Sequence, residues 1–151
     1  MNRLIIDTNL LVLLVVGSAA ESHIASHKRT RVYDGDAFRL LAGLVRQAAS
    51  VVVTPHVLAE TSNLIRQCRE PLANALGLRF AAFVVQAEEE QREAREIVHR
   101  PEHIRLGLTD AGLLDVQKAG AVLLTDDIAL YLASLAAGFP AINFSHLREM
   151  A

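Results

Sequence analysis

An α/β protein is predicted, a three-layer α/β/α sandwich with a central parallel sheet, and three observations lead there. Short, wholly apolar runs such as "RLII", "VVV" and "AVLLT" lack the alternation of a half-exposed strand, so they suit a sheet covered on both faces. Segments of helical spacing separate these runs, and strands alternating with helices pair in parallel. A chain of 151 residues, 52% of them hydrophobic, has enough apolar surface for one core, so residues 1–151 are read as a single domain.

The elements follow in order. "RLIID" is the first strand, and "NLLVLLVVG" is a buried helix that Gly17 should close. Residues 18–34, "SAAESHIASHKRTRVYD", are polar and mixed, which predicts a long connection or a mobile arm. "DAFRLLAGLVRQAAS" has helical spacing, "VVVTP" is the second strand, and Pro55 sits where a helix can start and run to about Cys68. The stretch from Pro71 to Arg100 reads as one or two helices, its charged half "EEEQREARE" a solvated one with Glu88 and Arg92 at the favourable four-residue spacing. "TDAGLLDVQKAG" is a helix with Thr109 as N-cap and Gly120 as stop, "AVLLT" the third strand, "DDIALYLASLAAG" a helix, and "PAINF" the last strand.

Charge and cysteine content exclude several classes. A formal net charge of −2 gives no global pull toward nucleic acid or anionic lipid, so any polyanion has to be held locally. The single cysteine, Cys68, cannot form an internal disulfide, which fits a reducing cytoplasm. The amino terminus imitates a signal peptide, but Asp7 interrupts its apolar run, and that run is far short of the roughly 20 residues that span a bilayer. His23 and His27 have helical spacing but lack a third ligand for metal. His56, one helical turn before Glu60, reads as a surface side chain within reach of that acid or of a substrate. "HKRTR", residues 27–31, is the one dense basic patch; it could hold phosphates, although a solvated loop is the preferred reading.

The acids are the informative residues. Ligand sites of parallel sheets lie beyond the carboxyl ends of the strands. Asp7 falls at that end of the first strand, Asp126 and Asp127 just past the third, and Asp110 opens the helix leading into the third. Glu60 shares a helix face, or its border, with the core positions Val57 and Leu64. Each acid alone has an ordinary explanation as a helix cap, dipole partner or snorkelling side chain. Together they sit on elements expected to converge on one edge; if the carboxylates do meet there, each pair about 5 Å apart repels by roughly 3 kcal/mol at an effective dielectric near 20. Raised pKa values or bound divalent cations relieve such crowding, and oxygen ligands without His or Cys select Mg²⁺ or Mn²⁺.

At these residues the chain resembles the PIN-domain nucleases. "IIDTN", "TPHVLAETSNLI" and "LTDAGLLDVQKAGAVLLTDD" occur in the family's order, and the match spans most of the length. The resemblance implies a compact α/β/α fold, an acidic pocket holding Mg²⁺ or Mn²⁺, and endoribonuclease activity on single strands through metal-activated water, often as the VapC-type toxin of a toxin-antitoxin pair. Asp7, Glu60 and Asp110 then match the first three family acids. The family's Thr-x-Asp pattern selects Asp127 as the fourth, with Asp126 beside it as the alternative. Thr8, Asn9 and Thr125 would orient carboxylates or water. The 18–34 segment is long for a compact toxin, and the usual aromatic after the last acid is displaced to Tyr131.

The expected partners are an RNA substrate, an antitoxin protein and a second copy of the chain, with no membrane. Two other functions compete with the nuclease. A phosphatase with an aspartyl nucleophile would need an acid two residues after Asp7, where Asn9 stands. A catalytically silent RNA- or partner-binding module would have no reason to keep repelling charges together.

Overall fold

The computed structural model describes residues 2–151, and its centre is a five-stranded, all-parallel sheet in the order β3-β2-β1-β4-β5. The strands are β1 (Arg3–Ile6), β2 (Ser50–Val53), β3 (Glu88–Glu89), β4 (Val122–Thr125) and β5 (Ala141–Asn143). Ile5 lies opposite Val52 on one side and Leu123 on the other. Successive residues Leu4, Ile5 and Ile6 are all buried although they point to opposite faces, so helices cover the sheet on both sides and the three-layer α/β/α sandwich follows. The chain leaves β1 toward β2, then returns to β4 on β1's other flank. The topological switch point, where such sheets open a crevice, therefore falls between β1 and β4.

The helices are α1 (Thr8–Ala19), α2 (Gly35–Gln47), α3 (Pro55–Ile65), α4 (Leu72–Gln86), α5 (Ala94–Ile97), α6 (His103–Leu106), α7 (Leu108–Gln117), α8 (Ile128–Ala136) and α9 (Phe144–Met150), with a 3₁₀ turn at Glu21–His23. α1 is apolar all round and buried, packed against α2, α3 and α4. It runs past Gly17 instead of stopping there. Gly17 serves close packing, since a Cβ at that position would run into the Phe38 ring of α2. Thr54 caps α3, with Pro55 in its first turn, and Asp34 caps α2. α7 starts after Gly107, whose φ of 89° suits a residue without Cβ, so Thr109 lies inside the helix and is not its cap. α9 continues beyond the last expected strand. No helix among the described residues is long and apolar enough to cross a membrane.

Two further expectations are corrected. Residues 18–34 are not a mobile arm, because Ile24, His27, Thr30 and Tyr33 are all buried at a three-residue period that matches tight turns. Their polar atoms are satisfied: Thr30 Oγ1 donates to the Ile24 carbonyl at 2.7 Å, and His27 Nε2 lies 3.1 Å from the Ile65 carbonyl. Likewise "EEEQREARE" does not form one solvated helix. Glu88 and Glu89 make the edge strand β3, and the Glu90 amide donates to the Val53 carbonyl at 2.8 Å. The extended chain places Glu88 and Glu90 on the same side, where both accept from the Arg3 guanidinium, at 2.7 and 3.1 Å. A helical Glu88–Arg92 pair offers only about 0.2–0.5 kcal/mol against that network and the strand's backbone bonds.

Candidate functional site

Three of the predicted acids, Asp127, Asp7 and Glu60, lie near enough to act electrostatically on Asp110 near the switch point, while Asp126 acts on Asp7. Asp7 follows β1 and is buried, with Oδ1 accepting the Leu10 amide at 3.2 Å as the cap of α1. Its Oδ2 accepts the Thr125 hydroxyl and the Asp126 amide, the latter at 3.3 Å. Burial raises its pKa to about 6 against the pull of these three donors, and the Asp126 charge adds to the rise. The Thr125 hydroxyl also accepts the Asp127 amide at 2.9 Å, so one buried oxygen ties the end of β1 to the β4–α8 turn.

Glu60 lies exposed on the second turn of α3 and is oriented from both sides. The Thr8 hydroxyl donates to Oε1 at 2.9 Å and the Thr109 hydroxyl to Oε2 at 2.7 Å, linking α3 to α1 and α7. Asp110, half-buried at the start of α7, has its pKa raised to about 7 by burial and then by the charges of Asp127, Asp7 and Glu60. Among the described residues, no Lys, Arg or His pairs within 4 Å with any of the five predicted acids.

The two adjacent aspartates separate cleanly. Asp127 is exposed, caps α8 through the Ala129 amide at 2.9 Å and the Leu130 amide at 3.2 Å, and acts on Asp110. Asp126 turns the other way: its Oδ2 accepts the Tyr33 hydroxyl at 2.8 Å and its Oδ1 accepts the Ser145 hydroxyl. Burial and this acceptor push the Tyr33 phenol pKa upward, so it stays a donor. Tyr33 is braced edge-on against Phe144, with the Arg148 guanidinium 5.4 Å from its ring centre. Asn9 is exposed in the first turn of α1 and makes none of the hydrogen bonds to the acids. Tyr131 packs edge-on against His146.

Sequence reasoning missed Thr109, Tyr33 and Ser145 as supports of the acids. Thr109 is adjacent to Asp110, and a hydroxyl beside an acid was a visible signal, read instead as a cap. Nothing local marks Tyr33 or Ser145, which are 93 and 19 residues from Asp126.

The oxygens available are those of a hard-cation site. Asp110 accepts no side-chain or capping hydrogen bond among the described residues, and the second oxygen of Asp127 is also uncommitted. The carboxylates share a patch, not a closed cage: among the described residues, no three His, Cys, Asp or Glu side chains are gathered tightly enough to hold an ion as they stand. The patch is also open, since Glu60 and Asp127 are both exposed. A neighbouring cleft of about 630 Å³, lined by Asp34, Leu40, Ser145, Arg148 and Glu149, contains none of the five acids. A comparison with models of known protein families finds none that matches the chain, and a search of curated proteins finds no significant match.

Proposed function

We propose that the chain is a PIN-like, divalent-metal-dependent endoribonuclease, possessing an acid site formed by Asp7, Glu60, Asp110 and Asp127. The observation that carries this reading is the environment of Asp110: a half-buried carboxylate facing three other carboxylates with no cation beside them. Such an arrangement costs folding energy, and a hard divalent ion on oxygen ligands removes that cost. Mg²⁺ or Mn²⁺ held by these acids would supply Lewis-acid activation of water and charge neutralisation at a phosphodiester.

The chain's own residues prepare the ligands. Thr125 and two amides fix the Asp7 carboxylate, and Thr8 with Thr109 fixes that of Glu60, so neither has to be ordered when substrate arrives. Asp126 is a positioning residue: Tyr33 and Ser145 hold its carboxylate, and its amide reaches Asp7. An open, acid-lined surface suits a polymer better than a small monoester, which enzymes usually enclose. This argues against the phosphatase, as does Asn9. The choice of RNA over DNA, and the toxin role, rest on the resemblance. Exposed Leu78 and Val85 on α4, and Ile128 and Leu132 on α8, support a protein partner, either an antitoxin or a second copy.

Because the acids form a patch and not a ready cage, a second reading is a silent module that binds RNA or a partner without cutting. Incubation of varied single-stranded RNAs with the chain and Mn²⁺ separates the two. Cleavage to 5′-phosphate and 3′-hydroxyl ends, lost in Asp7→Asn, is expected; tight binding with no cleavage assigns the silent module.

A further inference from the structure

The basic segment 27–31 does not stand alone in the fold. Its Arg29 donates from Nε to the Gln67 side-chain oxygen at 2.6 Å, just past the end of α3. On α3 itself His56, Glu60 and Asn63 form a polar stripe at the spacing of one helix face, bordering the buried stripe of Val57, Thr61 and Ile65 and leading toward Gln67 beyond the helix end. At 1.5 Å per residue, Ile65, the last residue of α3, lies roughly 7.5 Å along the axis from the acid Glu60, and Gln67 follows it.

Buried His27 holds this junction in place. Its Nδ1 accepts the Arg29 amide at 3.1 Å, so the ring proton sits on Nε2 and is donated to the Ile65 carbonyl at 3.1 Å. The Ile65 carbonyl is one of the C-terminal carbonyls a helix leaves without an internal partner. The residues flanking this junction in the chain, Lys28 and Arg31 beside Arg29 and Arg66 and Arg69 beside Gln67, are exposed. None of these five cations has a carboxylate within 4 Å among the described residues, in a chain whose acids outnumber its lysines and arginines by 17 to 15. The nearest acid in sequence, Glu70, accepts the Asn74 amide at the start of α4.

We propose that this cation cluster and the polar stripe of α3 form a binding track for the phosphate backbone of a single-stranded nucleic acid, one end of which enters the acid site. The inference rests on the nuclease reading for what happens at that end, but binding along the track is a separate claim. Four of the five cations are arginines, whose planar forks match phosphate oxygens. None of these cations pairs with Glu60 or the other acids, so the acids stay free for a metal while one strand can contact both. The basic segment read from sequence as a solvated loop thus acquires a second half, supplied by the end of α3.

The test is binding of a fluorescent 12-nucleotide single-stranded RNA to the full-length Asp7→Asn protein with EDTA present, from 50 to 200 mM salt. Adding Lys28→Ala, Arg31→Ala and Arg66→Ala should weaken binding at least about tenfold. It should also flatten the log–log salt slope by about 2, near 0.7 for each lost phosphate contact. Removing equal charge elsewhere, with Arg46→Ala, Arg95→Ala and Arg105→Ala, should leave affinity within about twofold. Circular dichroism checks that both triple variants fold. Equal affinity and slope for the track variant, or an equal loss for the control, overturns the proposal. So does polyglutamate binding as tightly as RNA and lost in the same variant, which would assign the cluster to an acidic protein. Failure of the wild-type chain to cleave with Mn²⁺ bears on the nuclease reading alone and leaves these binding outcomes decisive for the track.

Discussion

Asp110 and Asp115 sit five residues apart on the same helix, α7, in opposite electrostatic surroundings. Asp115 meets Lys118 at 2.9 Å, Arg100 at 3.4 Å and Arg92 at 3.5 Å. Burial pushes its pKa up, but Lys118 and Arg100 outweigh that and the net shift is downward. Asp110 has no such partner; burial and three neighbouring carboxylates raise it to about 7. One aspartate is compensated from within the chain and belongs to the architecture. The other is left uncompensated, and such charge calls for a ligand from outside. The difference is tertiary, since both are aspartates on a single helix.

Substitutions should separate the acid site from the Asp115 cluster. Asp7→Asn is expected to lower Mn²⁺-dependent RNA cleavage by at least about 100-fold, in the range seen when a key electrostatic group is removed from a site. It should leave the far-ultraviolet circular dichroism unchanged. Retained cleavage would remove the functional half of the contrast. Asp115→Ala should act on stability instead. It removes the shared anion of Arg100, Arg92 and Lys118, but Arg100 keeps Glu102, Arg92 keeps Glu90 and Lys118 faces solvent, so the cost in urea unfolding should be about 1–2 kcal/mol. A loss under about 0.5 kcal/mol would mean that the cluster is mere surface decoration.

Smaller effects refine the picture. Thr109→Val removes one of the two hydroxyls that orient Glu60 and should reduce cleavage about 10–100-fold, with Mn²⁺ affinity falling in parallel. Unchanged metal affinity would detach Thr109 from the site.

The pH dependence follows from the sign of the Asp110 shift. A carboxyl whose folded pKa is raised to about 7 from an ordinary 3.8 keeps its proton longer in the native state than in the unfolded chain. Its stabilising contribution is complete below the unfolded pKa and is lost as pH rises through 7. Asp115 works in the opposite direction, losing stability as pH falls. The informative quantity is therefore the Tm of Asp110→Asn minus that of wild type, both with EDTA. It should be near zero at about pH 4 and rise by several degrees by pH 8, given roughly 2–4 °C per kcal/mol at this chain length. A flat difference would show that Asp110 carries no excess proton affinity.

Much of the fold and part of the site are legible in the sequence, but this contrast is not. The apolar runs of β1, β2 and β4 were legible because a strand buried on both faces needs no partner to betray it. Asp7 and Glu60 were legible because acids beside core positions are out of place. Asp126 and Asp127 were not separable from sequence, because the choice depends on Tyr33 and Ser145 arriving from remote elements. The charged stretch 88–93 misled for a related reason: its local pattern supports a helix, and Arg3, 85 residues away from Glu88, overrides it. Residues 18–34 hid a three-residue burial period beneath polar composition.

Local patterning thus established four of the five strands, most of the helices between them and Asp7 and Glu60 as acids out of place, because periodicity and backbone preference act between neighbours in the chain. Which charges are neutralised and which remain exposed to one another was set by folding. Coulomb forces depend on distance in space, and only the packed chain brings Arg100 to Asp115 while leaving Asp110 among Asp7, Glu60 and Asp127.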